Sequence, residues 1–476
     1  MKKTKIFLFA FLSLVLITSC DEGFEELNTD PNNPTEVPAH LLLSQTQSTH
    51  MNMMYGMGRG ADMGGCWVQQ WSKVQYNSEA RYIPRRGTID GMWNVMYTSI
   101  ISEAHAMQAL AVTEENPSLE GAALVMKAIG FQTLVDLFGP VPFTEALDAA
   151  NLKPAYDDEA TVYAGIIDML TQAAAKFSQG GSITSSSDLY YAGDVSKWIK
   201  LANTLKFRAL MRISSTRSVG GELAALQGKM FTSNDDNATV KYLSAAPDAN
   251  PIYETIVDGT RYEYKVNSQV VDRLGSLNDP RLAVYASPNT SGVIIGKPSG
   301  YGLQTTLPNE ALGYTYADIS GLGSFYLNPE LPGVLMSYSQ LNFLLAEAHN
   351  EGFLPGGTAS ALPFFKEGIK ASFAANALDA TNYLAQPNLT FATQSEARSK
   401  IGVQAWIASY GQGIESWTEW RRTGLPELVA GAESDLSVIP TRWYYPTTEA
   451  TLNKANYDAA SQTIGGDELT STLFWQ

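Results

Sequence analysis

Apolar residues recur every three or four positions through long stretches of the chain, and this spacing predicts amphipathic α-helices. One apolar stripe consists of Trp93, Tyr97, Ile100, Ala104, Met107 and Ala111. A second stripe, after a predicted N-cap at Asp194, consists of Trp198, Leu201, Leu205 and Ala209. Further helices are predicted at 158–178, 338–352, 358–379, 393–411 and 413–422. Helices that follow one another in pairs favour a helical-repeat scaffold, although the chain has no strict sequence period.

Two segments depart from this amphipathic pattern. Residues 119–143 are apolar on nearly all sides, and Gly139 and Pro140 within them should end a buried helix. Residues 231–335 are punctuated by Gly, Pro, Asn and Ser and carry many tyrosines. Their composition predicts a loop-rich insertion with a few short strands. Loops that a rigid scaffold positions are where binding residues concentrate.

The N-terminus has the pattern of a secretory signal that ends at a lipid-acceptor cysteine. Lysines near the start precede an apolar run over 6–17, which is shorter than the ~20 residues that a membrane-spanning helix needs. Residues 17–20, Ile-Thr-Ser-Cys, resemble a bacterial lipobox. We predict a signal peptide over 1–19, a lipidated Cys20 with a tether over 20–38, and a single domain over 39–476. An ordinary signal peptide followed by a free cysteine is the less favoured alternative.

Composition restricts the classes of partner. With 48 acidic and 32 basic residues, the chain has a formal net charge of −16, which repels a nucleic-acid backbone. Charged residues make up 17% of the chain, below the ~25% of a typical soluble protein, so much of the surface must be polar and uncharged. A surface of this kind that is rich in tyrosine and tryptophan suits neutral ligands such as sugars or peptides.

No metal site and no cofactor site are predicted. Once Cys20 is lipidated, Cys66 is the only remaining thiol, so neither an intramolecular disulfide nor a cysteine-based metal site can form. The four histidines include no i,i+4 pair. Zinc-protease, nucleophile-elbow and phosphate-loop motifs are also absent from the sequence.

Carboxylate pairs raise the alternative of a lipoprotein glycoside hydrolase, because such enzymes need two opposed carboxylates. Glu415 and Glu419 lie one helical turn apart, which puts both on one helix face, and two arginines follow directly. We therefore predict a structural ion-pair cluster at this position. A solvated or capping face near a helix end is predicted for Glu347, His349 and Glu351.

Two segments supply candidate ligand-binding residues. The first, which follows a predicted helix, contributes Tyr76, Arg81, Tyr82 and Arg85. The insertion contributes Tyr262, Tyr264, Tyr301, Tyr314, Tyr316 and Tyr326. Aromatic faces with a few polar side chains hold and orient a neutral ligand, so we predict that the two segments meet on one face as a shallow platform. Tyrosine burial is intermediate, and about half of these tyrosines should instead pack the insertion.

Several motifs, in order along the chain, carry a family resemblance. They are VDLFGPVPF at 135–143, GDVSKWIKLANTLKFRALMRIS at 193–214, NDPRL at 278–282, MSYSQLNFLLAEA at 336–348, IESWTEWRRTGLPEL at 414–428 and IPTRWYYPTTE at 439–449. With these motifs the chain resembles the SusD/RagB-like nutrient-binding outer-membrane lipoproteins of the Bacteroidetes. It departs from the family pattern at Thr441, where arginine is common, and at Ser416, where alanine is common.

The resemblance implies a mostly α-helical fold, in which a tetratricopeptide-like helix-pair scaffold carries the loop-rich insertion. It also implies a lipoprotein on the outer face of the outer membrane, anchored through Cys20. Such a protein binds a nutrient and delivers it, as a hinged lid, to a SusC-like TonB-dependent transporter. We expect an oligosaccharide as the nutrient and no enzymatic activity. The alternatives are a RagB-like peptide-binding lid and, much less favoured, the hydrolase.

Overall fold

The computed structural model describes residues 38–302 and 315–476, which are mostly α-helical. The α-helices are α1 Ala39–Tyr55, α2 Arg86–Val95, α3 Ser102–Thr113, α4 Pro117–Phe138, α5 Glu159–Phe177, α6 Val195–Arg212, α7 Gly220–Leu226, α8 Pro251–Tyr253, α9 Ser268–Ser276, α10 Leu282–Tyr285, α11 Tyr338–Asn350, α12 Gly357–Ala375, α13 Thr381–Leu384, α14 Gln394–Ala408, α15 Gly413–Thr423, α16 Glu449–Leu452 and α17 Lys454–Thr463. Short π-helical segments lie at Ala61–Gly65, Met96–Ile101 and Glu254–Asp258, and 3₁₀ turns lie at Glu79–Arg81, Ser185–Ser187, Asn234–Asp236 and Tyr316–Asp318.

The β-structure of the described residues consists of two-stranded antiparallel ribbons. They pair β1 Trp71–Lys73 with β5 Tyr264–Val266, β2 Val141–Pro142 with β3 Tyr156–Asp157, and β4 Ala238–Val240 with β6 Gly333–Met336. The β1–β5 ribbon joins the predicted insertion to an element before it. The β4–β6 ribbon pairs the two ends of the insertion with each other.

Helices that follow one another along the chain pack together in two groups. The helices α3, α4, α5 and α6 contact in succession, and α11 packs on α12 with α14 against both. The predicted stripes form the inner faces, because Trp198, Leu201, Leu205 and Ala209 are all buried. In the other stripe only Tyr97 remains half-buried. This arrangement confirms the mostly α-helical scaffold with a loop-rich insertion and a few short strands.

Local sequence signals set several helix ends, and the cap at Asp194 and the end at Gly139 are those predicted. The carboxylate of Asp158 accepts a hydrogen bond from the backbone N–H of Thr161 at 2.7 Å, and that of Asp194 accepts one from Ser196 at 3.0 Å. These side chains satisfy backbone donors that have no partner within the first turn. The buried helix α4 ends at Gly139, whose φ of +87° favours glycine.

By length and composition, α4 is the described helix that could cross a membrane, and 94% of its apolar window is buried inside the protein. Its neighbours α3, α5 and α6 cover it. An all-round apolar helix is typical of either a membrane span or a large protein core. In this fold, α4 is the helix around which the core is built.

Two glycines allow the π-helical segment Ala61–Gly65 to lie directly against the start of α15. A Cβ on Gly413 would lie 1.8 Å from the carbonyl oxygen of Gly60, and one on Gly64 would lie 2.4 Å from the carbonyl carbon of Gly413. No side chain fits between backbones at this separation. The glycine-rich segment near residue 60 therefore serves helix packing.

The predicted signal peptide, the lipidated Cys20 and nearly all of the tether lie outside the described residues. Tyr314 also lies outside them. The prediction of a single domain over 39–476 stays a prediction.

Candidate functional site

The acidic residues of α11 and α15 form an ion-pair cluster in the helix scaffold. Arg212, whose side chain is fully buried, lies 2.8 Å from both Glu415 and Glu419 and 3.0 Å from Asp136. Burial alone would raise the pKa of Glu419, but the nearby cations Arg422 and Arg212 outweigh it and lower the pKa to about 2. The predicted structural role of Glu415 and Glu419 is confirmed.

The prediction of a solvated face on α11 was wrong. Arg422 donates to both carboxylate oxygens of Glu347 at 2.6 Å, a bidentate pair between α11 and α15. The ring of His349 is buried and stacks on Phe364 at 5.2 Å between centroids. Glu347 and His349 are turned inward because α12 packs on α11 and Arg422 of α15 pairs with Glu347.

Two small enclosed cavities lie beside this cluster. One, of about 50 Å³, is lined by residues such as Gln340, Glu415 and Trp420. The other, of about 40 Å³, is lined by residues such as His50 and Arg208. A water molecule needs roughly 10–15 Å³ measured in this way, so each cavity has room for a few waters and not for a nutrient.

A larger, open groove of about 320 Å³ lies at the end of the β1–β5 ribbon. It is lined by Val74, Gln75, Thr260, Tyr262, Glu263, Lys265 and Ala317. The ribbon continues one step past β1, where the backbone N–H of Val74 donates to the carbonyl of Glu263 at 2.9 Å. The pairing of β1 with β5 thus brings the first candidate segment and the insertion together, as the predicted platform requires.

Exposed tyrosines flank this groove. Tyr262 is 57% exposed and Tyr76 is 60% exposed. The guanidinium of Arg261 lies 5.1 Å from the ring centroid of Tyr76 and is itself held by the carboxylate of Glu263. An arginine held over an aromatic face restricts the motion of that ring. Tyr262 lines the groove, and Tyr76, which Arg261 contacts, directly follows the lining residue Gln75.

Two described non-glycine residues with positive φ lie at the groove. Thr260 lines it, and Tyr76 follows the lining residue Gln75. Tyr76 has φ of +48° and Thr260 has φ of +53°. Residues held in this region cost free energy and cluster at ligand sites more often than elsewhere.

Three predicted platform tyrosines are core residues, so the prediction that they present a face to ligand was wrong. Tyr82 is 1% exposed and packs edge-on against Trp67 at 6.3 Å. The hydroxyl of Tyr264 donates to Asp62 at 3.0 Å, and that of Tyr326 donates to Asn376 at 3.0 Å. Tyr326 also packs edge-on against Tyr285 and Tyr410. Each ring fills a space between segments distant in sequence.

The remaining candidates among the described residues are Arg81, Arg85, Tyr301 and Tyr316. Arg81 donates to the carbonyl of Glu433 at 2.8 Å, and the exposed guanidinium of Arg85 pairs with the buried Glu79. These contacts favour a structural role for both arginines. Tyr301 is half-buried, and its backbone carbonyl accepts from Asn77 at 2.7 Å. Tyr316 begins the 3₁₀ turn whose next residue, Ala317, lines the groove.

A second open groove, of about 460 Å³, lies between α5 and α6, and its described lining includes no aromatic residue. Of its two lysines, Lys200 and Lys229, the first is already paired with Asp236 at 2.9 Å. In the described part of the chain, no group of three or more His, Cys, Asp and Glu is arranged to hold a metal ion. The groove beside Tyr262 is therefore the candidate site.

The family model described as "Starch-binding associating with outer membrane", a SusD-like model, matches residues 31–446. The chain belongs to this SusD-like family. No curated protein matches it. The solved structures that resemble this SusD-like protein include one named "chitin-binding protein", with 28% identity, a TM-score of 0.78, and coverage of 91% of this chain and 99% of that one.

Two further SusD homologue structures share the fold. A chitin-binding homologue from Flavobacterium johnsoniae has 21% identity and a TM-score of 0.76, covering 91% of this chain and 98% of that one. A homologue from Bacteroides fragilis has 23% identity and a TM-score of 0.77, covering 92% and 99%. The fold of this SusD-like protein is thus shared over about 91–92% of the chain.

Sequence reasoning missed the polar residues of the groove. Gln75, Arg261 and Lys265 were not among the candidates, although each is adjacent to a tyrosine that was. A signal was available, because Tyr264, Lys265 and Val266 alternate apolar, polar and apolar as expected for a half-buried strand. That alternation assigns Tyr264 to the core and Lys265 to the other face.

Proposed function

We propose that this SusD-like protein binds an oligosaccharide in the groove between its first candidate segment and its insertion. The observation that supports this is the pair of exposed tyrosines, Tyr76 and Tyr262, beside an open groove of about 320 Å³. Aromatic faces match the apolar faces of sugar rings, and a few polar groups around them give orientation. Gln75 and Thr260, both exposed at the groove, supply hydrogen-bonding groups of this kind.

The first ligands to test are chito-oligosaccharides. Two of the solved structures that resemble this chain are named as chitin-binding proteins. An open groove accommodates an internal section of a polymer better than a closed pocket does. The enclosed cavities of the scaffold, at about 50 and 40 Å³, are too small for a sugar ring.

The protein acts, in this proposal, as a surface lipoprotein anchored through Cys20 that delivers the sugar to a SusC-like TonB-dependent transporter. The lipobox-like Ile-Thr-Ser-Cys at 17–20 and the family description support an outer-membrane anchor. A permanent lid on a barrel needs a broad interface, above ~1,600 Å² of buried surface. We expect the native protein, solubilised from membranes in mild detergent, to co-purify with a large barrel protein. Recovery only as a monomer, under conditions that preserve other barrel complexes, would argue against the partnership.

The test of the site is the double substitution Tyr76→Asn with Tyr262→Ala. Asparagine is chosen at position 76 because it tolerates the left-handed backbone there better than alanine does. Each aromatic contact contributes about 0.5–1.5 kcal/mol, so losing both should weaken chito-oligosaccharide binding by roughly 5- to 100-fold. Calorimetric titration of the detergent-solubilised full chain measures this.

Leu452→Ala, at a side chain that is 69% exposed and does not line the groove, is the matched control. Its affinity and its melting temperature should equal those of the wild type. The tyrosine variant should also keep its melting temperature, because exposed side chains contribute little to stability. An unchanged affinity in the tyrosine variant would place the site elsewhere.

A further inference from the structure

We infer that the groove selects an oligosaccharide bearing carboxylates, that is, one containing uronic acid, and that Lys265 binds a carboxylate of the ligand. This inference rests on the proposed function and specifies its substrate class. It starts from a cation in the groove that has no counter-ion among the described residues. The sugar chemistry then follows from the residues around that cation.

Lys265 is a half-buried lysine that lines the groove. Within 38–302 and 315–476, Lys265 takes part in no salt bridge. Three other cations of the same two segments are paired: Arg261 with Glu263, Lys73 with Asp62, and Arg85 with Glu79. Burial lowers the pKa of Lys265, with no opposing effect of a nearby carboxylate. An ammonium group in this position is stabilised by any anion that enters the groove.

The strand geometry directs this side chain toward the groove. In β5, Tyr264 and Val266 are buried on the core side, and Lys265 between them lies on the opposite face because side chains alternate along a strand. The exposed Tyr262 lies three residues before Lys265, on the same groove lining. A ligand that stacks on Tyr262 therefore passes within the same groove as the ammonium group.

The rest of the groove favours an acidic sugar over a short peptide. A peptide terminus would bring an ammonium group as well as a carboxylate, and the groove's carboxylate, Glu263, is already bound by Arg261 at 2.7 Å. The chain as a whole carries a net charge of −16 and repels anions at a distance. Local recognition of a carboxylate therefore has to come from a short-range contact such as the one that Lys265 offers.

The experiment compares acidic and neutral forms of the same sugar chains. Tetramers of galacturonic, glucuronic and mannuronic acid, together with their methyl esters, are titrated into the detergent-solubilised full chain, with chitotetraose alongside. We expect at least one uronate tetramer to bind about tenfold or more tightly than its own ester, since a charge-assisted hydrogen bond is lost on esterification. This preference should shrink as salt is raised.

Three variants assign the preference to Lys265. Lys265→Gln should bind the acid no more tightly than the ester, while Lys265→Arg retains the preference. Lys370→Gln, at an exposed lysine of α12, should behave as the wild type. Retained ester binding by Lys265→Gln demonstrates that the variant is folded.

The outcomes separate this inference from the proposed function. Binding of chitotetraose with no acid-over-ester preference for any uronate overturns the role of Lys265 and leaves oligosaccharide binding in place. An acid preference that survives in Lys265→Gln overturns the inference as well. If no sugar binds and an acidic peptide does, both the inference and the proposed function are wrong.

Discussion

Arg212 is predicted to be the residue that holds the scaffold's ion-pair cluster together, and Arg212→Met tests this. The side chain of Arg212 is fully buried and lies within 3.0 Å of Asp136, Glu415 and Glu419. Methionine fills a similar volume but carries no charge, so the carboxylates of Asp136, Glu415 and Glu419 each lose one neighbouring cation. Removing one partner of a buried pair costs about 3–5 kcal/mol, because the remaining charge is left uncompensated.

The expected change in melting temperature follows from the size of the chain. The entropy of unfolding is about 2.1 cal/mol/K per residue, or roughly 1.0 kcal/mol/K for a chain of this length. A loss of about 3–5 kcal/mol should therefore lower the melting temperature by roughly 3–5 °C. Circular dichroism on the full chain at pH 7.5 measures this shift.

The matched control is Arg217→Met. Arg217 pairs with Glu222 on the surface, where the two side chains are 41% and 40% exposed. An exposed pair contributes about 0–1 kcal/mol, so this variant should melt within about 1 °C of the wild type. Equal shifts in the two variants would refute the argument that burial makes the Arg212 pairs costly to break.

Acidification provides a second check on the cause. Burial already raises the pKa of Asp136, and without the opposing charge of Arg212 this folded-state pKa should rise further above that of the unfolded chain. The folded state then binds more protons than the unfolded state, so stability falls as pH rises through that range and recovers as pH is lowered. The gap in melting temperature between Arg212→Met and the wild type should narrow as the pH is lowered from 7.5 to 5.5. A gap that widens would show that the loss is not electrostatic.

Three other predictions use single positions. Tyr264→Ala should destabilise the protein by about 3–5 kcal/mol, as core aromatic truncations do, while Tyr262→Ala two residues earlier should change the melting temperature by less than about 1 °C. Burial raises the pKa of Glu159 to about 7, above its unfolded value near 4.3, so the stability that Glu159 contributes is lost as pH rises through that interval. Glu159→Gln can still accept the hydrogen bond from the N–H of Phe474, and its melting temperature should gain over that of the wild type between pH 5 and pH 8. Cys20→Ala should abolish incorporation of labelled fatty acid, and label retained by this variant would contradict the lipoprotein proposal.

Local patterns in the sequence were sufficient for the scaffold. Helix period, the caps at Asp158 and Asp194, and the break at Gly139 each depend on residues within one or two turns, so they could be read without knowing the fold. The ion pair of Glu419 was also predictable, because Arg422 follows it on the same helix, whereas Glu415 pairs with Arg212 of α6. The family motifs extended these local signals to the whole fold.

The sequence by itself thus determined the helices, their core faces and the loop-rich character of the insertion, since these follow from short-range periodicity and composition. Only the tertiary structure decided which tyrosines face solvent. Tyr262 and Tyr264 are two residues apart in one segment, yet the pairing of Tyr264 with Lys73, far away in the chain, buries one ring and leaves the other at the groove. The same long-range pairing places Lys265 in the groove, and the Glu347–Arg422 pair similarly joins residues far apart in sequence. Burial depends on what a neighbouring segment covers, and that neighbour is chosen by the fold as a whole.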